Sequence, residues 1–276
     1  MIAPNRTFLG ELGAVDSAPG TVARAWDWFS EQLRIIDPRS EYVMLPARIA
    51  EDELFADAMN HGLTTADTGI VRIELEEVSA SSVLPPGAVD GIKERLAAEG
   101  GTFVLTGQLG QYGLVSLTED GALRAQRLVM VHQGELGPDG TPTEAFSLPL
   151  EEESDGTARF MHLLPMLFQL VEGSSRGVFV VDELENSMHP LLTQELIRSF
   201  LDGLGKEDRR QLVFTTHEIQ IMRAGLLRRD ELWLADKKAG RTRLSRVSEF
   251  TREGVRKDAD LLGFYASGRL GGVPRL

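Results

Sequence analysis

Over residues 26–61 the apolar positions recur at a spacing of three to four. Trp26, Phe29, Leu33 and Ile36 share one face, which predicts a helix over 26–36 that stops before Pro38. Leu54, Phe55, Ala58 and Met59 predict another over 51–61. A shorter helix is expected at 5–12, followed by a small, polar linker at 13–20. The aromatic residues here are what core packing requires. The pattern then changes. Residues 70–75 alternate apolar and polar, which predicts a half-exposed strand. A polar helix over 88–99 follows, then strands at 102–106, 112–117 and 123–132 separated by glycine-containing turns. With the Gly-, Pro- and Asp-rich loop 134–143, this middle third reads as a small α+β insert. His61 and His132 have no metal-ligand spacing and are expected at the surface or in turns.

Past Leu148 the character shifts again. An acidic turn, Glu151 to Thr157, leads into a helix striped by Phe160, Leu163, Leu164, Leu167, Leu170 and Val171, with Pro165 predicted to kink it. Gly177-Val178-Phe179-Val180-Val181 is a short apolar run, the pattern of a strand buried on both faces of a parallel sheet. It runs straight into Asp182-Glu183. After the turn Leu184 to His189, Pro190 opens a helix striped by Leu192, Leu196, Phe200 and Leu204. A second apolar strand, 212–215, ends at Thr216-His217, and two more strands are expected at 231–235 and 242–247.

Composition narrows the field. The sequence has 276 residues and no cysteine, so disulfide frameworks and thiol chemistry are excluded. The N-terminus lacks the apolar core of a signal peptide, and residues 160–171 are too short to span a membrane. A cytoplasmic protein is expected. The net charge of −13 means that the overall field does not steer the chain to nucleic acid, although a local basic patch could. The tail 251–276, with Arg252, Arg256, Lys257, Arg269 and Arg275, is the obvious place. A solvated surface with scattered counter-charges accounts for it as well.

Acids at the C-terminal edge of a buried strand sit where open α/β sheets place ligands. There Asp182 can hold a hydrated Mg²⁺ and Glu183 can orient a water. Read alone, such a pair more often merely caps the next helix. Ser154 and Gly156 precede free N–H groups at a helix start, which is either an anion site or a plain N-cap. His217, beyond a second strand end, is by itself more often structural than catalytic.

Taken together, Ser154-Asp155-Gly156-Thr157 opening a helix, a strand ending Asp182-Glu183 and a strand ending Thr215-Thr216-His217 stand in a fixed order. That order resembles the C-terminal half of an ABC-type ATPase head, closest to the OLD- and SMC-like AAA-domain proteins of bacterial anti-phage and abortive-infection systems. The resemblance covers most of the chain, and its motifs lie in 148–217. It implies an α/β fold, a P-loop NTPase (ABC-ATPase-like) head with a mainly parallel sheet flanked by helices. It implies a helical remnant at 1–40, an α+β insert at 41–147 and the ATPase core half at 148–276. ATP and Mg²⁺ would be the cofactors. Ser154 and Gly156 would form the signature contacting the γ-phosphate on an opposing subunit, so Ser154, Gly156 and Ser187 are expected at or near the surface. Asp182 would hold the metal, Glu183 would polarise the attacking water and His217 would be the switch histidine. Asn186 and Ser187 would lie where the chain crosses a dimer interface.

One part of the family pattern is missing. No Gly-x-x-x-x-Gly-Lys-Ser/Thr occurs in the sequence, and Gly203-Leu204-Gly205-Lys206 ends a helix instead of opening one. The expectation is a head whose first strand, P-loop and first helix are truncated or supplied by another chain. The implied partners are a second head, as a homodimer or a P-loop-bearing chain, with a nuclease effector and nucleic acid left open and no membrane. The alternative is a degenerate, non-hydrolysing head acting as an interaction subunit. A fused nuclease is disfavoured, because no second acidic constellation follows His217.

Overall fold

The computed structural model describes residues 19–66, 68–106, 112–134, 144–168, 176–223, 225–253 and 260–270. The helix expected at 5–12, most of the loop 134–143, and Arg256, Lys257 and Arg275 of the basic tail lie outside these residues.

Helix α1 (Gly20–Asp27) runs into a π-helical turn at Trp28–Gln32 and gives way at Leu33 to strand β1 (Leu33–Ile36). This corrects the single helix expected over 26–36. The 3–4 spacing is present, but Leu33–Ile36 pairs in parallel with Val178–Val181, and a strand paired along its whole length outcompetes one more helical turn. Phe29 is exposed and packs edge-on against Trp28 at 4.9 Å, so these two aromatics are not core.

The helix expected at 51–61 is α3 (Glu53–Thr65), and a further helix, α2 (Leu45–Glu51), precedes it. Asp52 separates them, its carboxylate accepting the N–H of Phe55 at 3.0 Å as an N-cap. The buried stripe of α3 is Phe55, Met59, Gly62 and Leu63. Strand β2 (Ile70–Val78), the single turn α4 (Ala80–Val83), α5 (Ala88–Glu99), β3 (Thr102–Leu105), β4 (Gly113–Leu117), β5 (Leu123–His132) and β6 (Phe146–Pro149) follow. Their five strands form one antiparallel sheet in the order β2-β5-β4-β3, with β6 added to β5. His132 is no bare surface residue, because its Nε2 meets Glu153 Oε1 at 2.5 Å in a half-buried pair.

The last third contains α6 (Asp155–Phe168), β7 (Val178–Val181), α7 (Pro190–Asp202), β8 (Gln211–Phe214), the hairpin β9 (Trp233–Lys238) and β10 (Arg241–Arg246), and α8 (Leu261–Ala266). The parallel sheet is three strands, β1-β7-β8, with β7 central. Helix α6 continues through Pro165 to Phe168. Its Phe160, Met161, Leu163 and Leu164 are fully buried in a core that also takes Ile70, Leu128 and Met130 from the antiparallel sheet and Phe179 and Val181 from the parallel one. Each such side chain contributes roughly 1.5–3 kcal/mol by leaving water. Both sheets are therefore held on one core, and the parallel edge inherits its rigidity. One face of the parallel sheet, Ile36, Val181 and Phe214, packs inward. On the other face Ile35 and Val213, aligned on either side of Val180, are 72% and 53% exposed.

Candidate functional site

The site is built on the C-terminal edge of the parallel sheet. The register Val181↔Phe214 brings the strand ends level, so Asp182-Glu183 and Thr215-Thr216-His217 leave side by side. Backbone bonds carry the pairing one residue past the strands: Thr215 N–H to the Val181 carbonyl at 3.0 Å and Leu184 N–H to the Thr215 carbonyl at 3.1 Å. On the other side Asp182 N–H reaches the Ile36 carbonyl at 2.9 Å. The Thr215 hydroxyl donates to Asp182 Oδ1 at 2.5 Å and accepts the Glu183 N–H at 2.9 Å. Asp182, Glu183, Thr215 and His217 are all exposed. The edge is an open ledge, away from the hollows lined by Ser116–Asp120 and by Arg95–Val104.

The following turn is backbone-strained. Glu183 has φ 46° and Ser187 φ 62°, two of the three non-glycine residues with positive φ among the described residues. Bulky side chains are rare there, and such outliers concentrate at functional sites. Bonds from Asn186 N–H to the Glu183 carbonyl (2.9 Å) and from Met188 N–H to the Glu185 carbonyl (2.7 Å) hold the turn. Buried Leu184 and Met188 pin it to the core.

The start of α6 meets this turn. Ser154 caps the helix, its hydroxyl accepting the Thr157 N–H at 3.1 Å. A Cβ on Gly156 would come within 2.5 Å of the Ser187 carbonyl oxygen, so only glycine allows this approach. Ser154 and Ser187 are exposed as expected, but Gly156 is buried beneath the Ser187 backbone. Asn186 is half-buried, and its amide reaches the Pro38 carbonyl after β1 at 3.5 Å. Arg159, one turn into α6 and buried, donates to the Asp37 carbonyl of the same loop at 3.1 Å. Burial holds its guanidinium pKa below the usual value, opposed by Asp37. Thus the candidate residues of α6, of the 182–187 turn and of the β8 end are brought to one neighbourhood.

Glu185 is the residue that the sequence did not disclose. It is only 6% exposed, yet its Oε1 accepts both the His217 backbone N–H at 2.8 Å and its Nδ1 at 2.6 Å. Its Oε2 is buried with no hydrogen-bond partner. The carboxylate thus fixes the His217 ring with Nδ1 inward, while the side chain remains 81% exposed. A third carboxylate in an acidic turn carries no sign of burial, so only the fold could single it out.

No cluster of three or more His, Cys, Asp or Glu able to cage a metal occurs among the described residues. A hydrated Mg²⁺ needs no such cage, since it keeps several waters and takes one or two carboxylates. Asp182, exposed and bonded by the Thr215 hydroxyl, is a carboxylate of this edge that could hold such an ion. No helix of the described residues is long and apolar enough to cross a membrane.

No curated protein matches the chain. Residues 14–223 match the family model described as AAA domain, AbiEii toxin-like, type IV TA system. The match takes in the acidic turn that leads into α6, the Asp182-Glu183 edge and His217. With most of its sequence matched and its strand ends arranged as above, the chain belongs to this AAA-domain family, whose fold is the α/β fold of P-loop NTPases.

Proposed function

We propose that the chain supplies the signature and Walker B elements of a composite ATP site, as a cytoplasmic subunit of an ABC/AAA-like ATPase in bacterial anti-phage defence or DNA processing. The observation that carries the reading is the shared ledge: Asp182, Glu183 and His217 on adjoining strand ends, tied by one threonine hydroxyl and one buried carboxylate. The family's description, AbiEii toxin-like, supports the abortive-infection setting.

In this reading Glu183, exposed and set by its positive φ, accepts a proton from the attacking water. His217 turns its outer ring nitrogen toward the γ-phosphate, because Glu185 occupies the inner one. Asp182 would hold Mg²⁺, which neutralises phosphate charge when bound. Ser154 and the α6 N-terminus would contact a phosphate held by an opposing head, with Asn186 and Ser187 beside the crossing. Phosphoryl transfer needs such positioning more than covalent help. Residues 148–276 would be the core half and 41–147 the insert. The phosphate cradle would come from a P-loop-bearing segment outside this sequence. The exposed row Ile35 and Val213, and the edge of β8 away from β7, offer it a sheet to extend. A second head and a nuclease effector are the partners proposed.

The test joins the chain to a family-type N-terminal segment carrying a P-loop and measures phosphate release. Turnover should appear, and Glu183→Gln should lower kcat by roughly 10²-fold or more while ATP binding persists. Wild-type turnover by Glu183→Gln would sink the assignment. ATP binding without any turnover would favour the non-hydrolysing interaction subunit.

A further inference from the structure

The hairpin β9–β10 lies beyond the residues matched to the family and pairs with no other strand among the described residues. Its base is anchored by Leu234, which clusters with Val247 and Leu270. From Ala235 to Leu244 every residue is exposed. An isolated two-stranded ribbon is marginal in water, so a ribbon solvated on both faces is held for its surface and adds little to the core.

That surface is basic. Residues 233–246 carry Lys237, Lys238, Arg241, Arg243 and Arg246 against one carboxylate, Asp236, in a chain of net charge −13. Several exposed arginines elsewhere are neutralised locally: Arg72, Arg95, Arg124 and Arg198 each pair with a glutamate. Among the described residues Lys237, Lys238, Arg241 and Arg243 make no ion pair. The carboxylates at the base of the hairpin, Asp230 and Glu231, are taken by Arg228.

The register distributes the charge. Lys238 with Arg241, and Asp236 with Arg243, lie on the Leu234 face. Lys237 with Thr242, Ala235 with Leu244, and Trp233 with Arg246 lie on the other, where Arg246 stacks over the half-exposed Trp233 ring at 4.6 Å. Cations on both faces suit a ligand with negative charge on two sides. A flat lipid surface or a single acidic protein face would meet only one of them. A two-stranded ribbon fits the major groove of a duplex, whose walls are phosphate.

We propose that the β9–β10 hairpin is a nucleic-acid-binding ribbon that engages the phosphates of a duplex groove through Lys237, Lys238, Arg241 and Arg243. Binding is sequence-independent, and it does not rest on the ATPase reading. The experiment measures fluorescence anisotropy of a labelled random-sequence DNA duplex without nucleotide, across a salt series. Wild-type protein should bind with Kd on the order of 10⁻⁵ M and a log–log salt slope of about −3, the release expected for three to four phosphate contacts. The variant Lys237→Gln, Lys238→Gln, Arg241→Gln, Arg243→Gln should lose about tenfold or more at ~0.1 M salt and most of that slope. A control with Arg72, Arg95, Arg124 and Arg198 changed to Gln has the same net charge and should bind like wild type. Equal loss in the two variants would reduce the effect to net charge and overturn the proposal. So would unchanged binding by the hairpin variant. Hairpin-dependent binding to phosphatidylserine vesicles, or hairpin-dependent self-association by light scattering, without duplex binding would equally overturn it.

Discussion

Thr215, Gly156 and Glu185 hold the ledge by three different means, and each can be altered alone. The Thr215 hydroxyl bonds to Asp182 and to the Glu183 N–H, so Thr215→Val keeps the shape and removes both bonds. At this exposed position the stability cost should be about 1 kcal/mol in urea unfolding. Gly156→Ala forces a methyl against the Ser187 carbonyl at 2.5 Å. It should cost roughly 1–3 kcal/mol, the range for overpacking a closed contact, and a melt unchanged from wild type would contradict the close approach. Glu185→Ala leaves His217 exposed but removes the carboxylate that holds Nδ1. Nitrogen NMR should show His217 protonated at Nδ1 in the wild type and a mixture of tautomers in the variant. An identical tautomer in both would mean that Glu185 does not orient the ring. At this scale the sequence displayed Asp182, Glu183, His217 and Ser154 because their places follow local pattern. Glu185 was hidden, since burial is a property of the surroundings.

The elements show which local rules survived. Helices α6 and α7 follow their stripes, including Pro190 at the start of α7, whereas in α3 Leu54 and Ala58 of the expected face are exposed. Strand β1 does not, because its decisive partner, β7, is far along the chain. The last hairpin was expected at 231–235 and 242–247 and lies instead at Trp233–Lys238 and Arg241–Arg246. Its outer half is polar on both faces, so alternation could not mark it. The two residues of its turn, Ala239 and Gly240, have φ 50° and 77°, the type I′ arrangement. Alanine is strained there and asparagine is not. Ala239→Asn should therefore stabilise the hairpin by about 0.5–1 kcal/mol, visible as slower amide exchange across β9–β10.

At the scale of the whole molecule, stability should depend on pH through His162. The ring is buried in the central core and accepts the Tyr42 N–H on Nδ1 at 3.2 Å. Burial, with Arg159 adding repulsion, pushes its pKa down to about 4. The unfolded chain binds the proton near 6.5, so it takes up protons before the native state does. This site therefore leaves stability intact above pH 6.5 and erodes it as pH falls toward 4, by about 2–3 kcal/mol at pH 4.5. His162→Asn keeps an acceptor for Tyr42 and cannot titrate. Its unfolding free energy should fall less than the wild type's between pH 7 and 4.5, and parallel losses would remove His162 as the cause. Tyr112, whose ring lies 5.3 Å from His162, is pushed upward by burial and by Glu41 and stays neutral over this range.

The sequence by itself determined the parts whose causes are local. Apolar runs made β7 and β8, caps and stripes made the helices, and the residue types at the strand ends raised the expectation of phosphate chemistry. The fold decided what depends on neighbours distant in the chain. It drew Leu33–Ile36 out of a helical pattern into β1, placed Gly156 beneath Ser187, buried Glu185 against His217 and left Lys237, Lys238, Arg241 and Arg243 exposed with no ion pair among the described residues. The physical reason is common to all four: each is fixed by a desolvated or hydrogen-bonded contact, or by the lack of one, between segments that periodicity cannot connect.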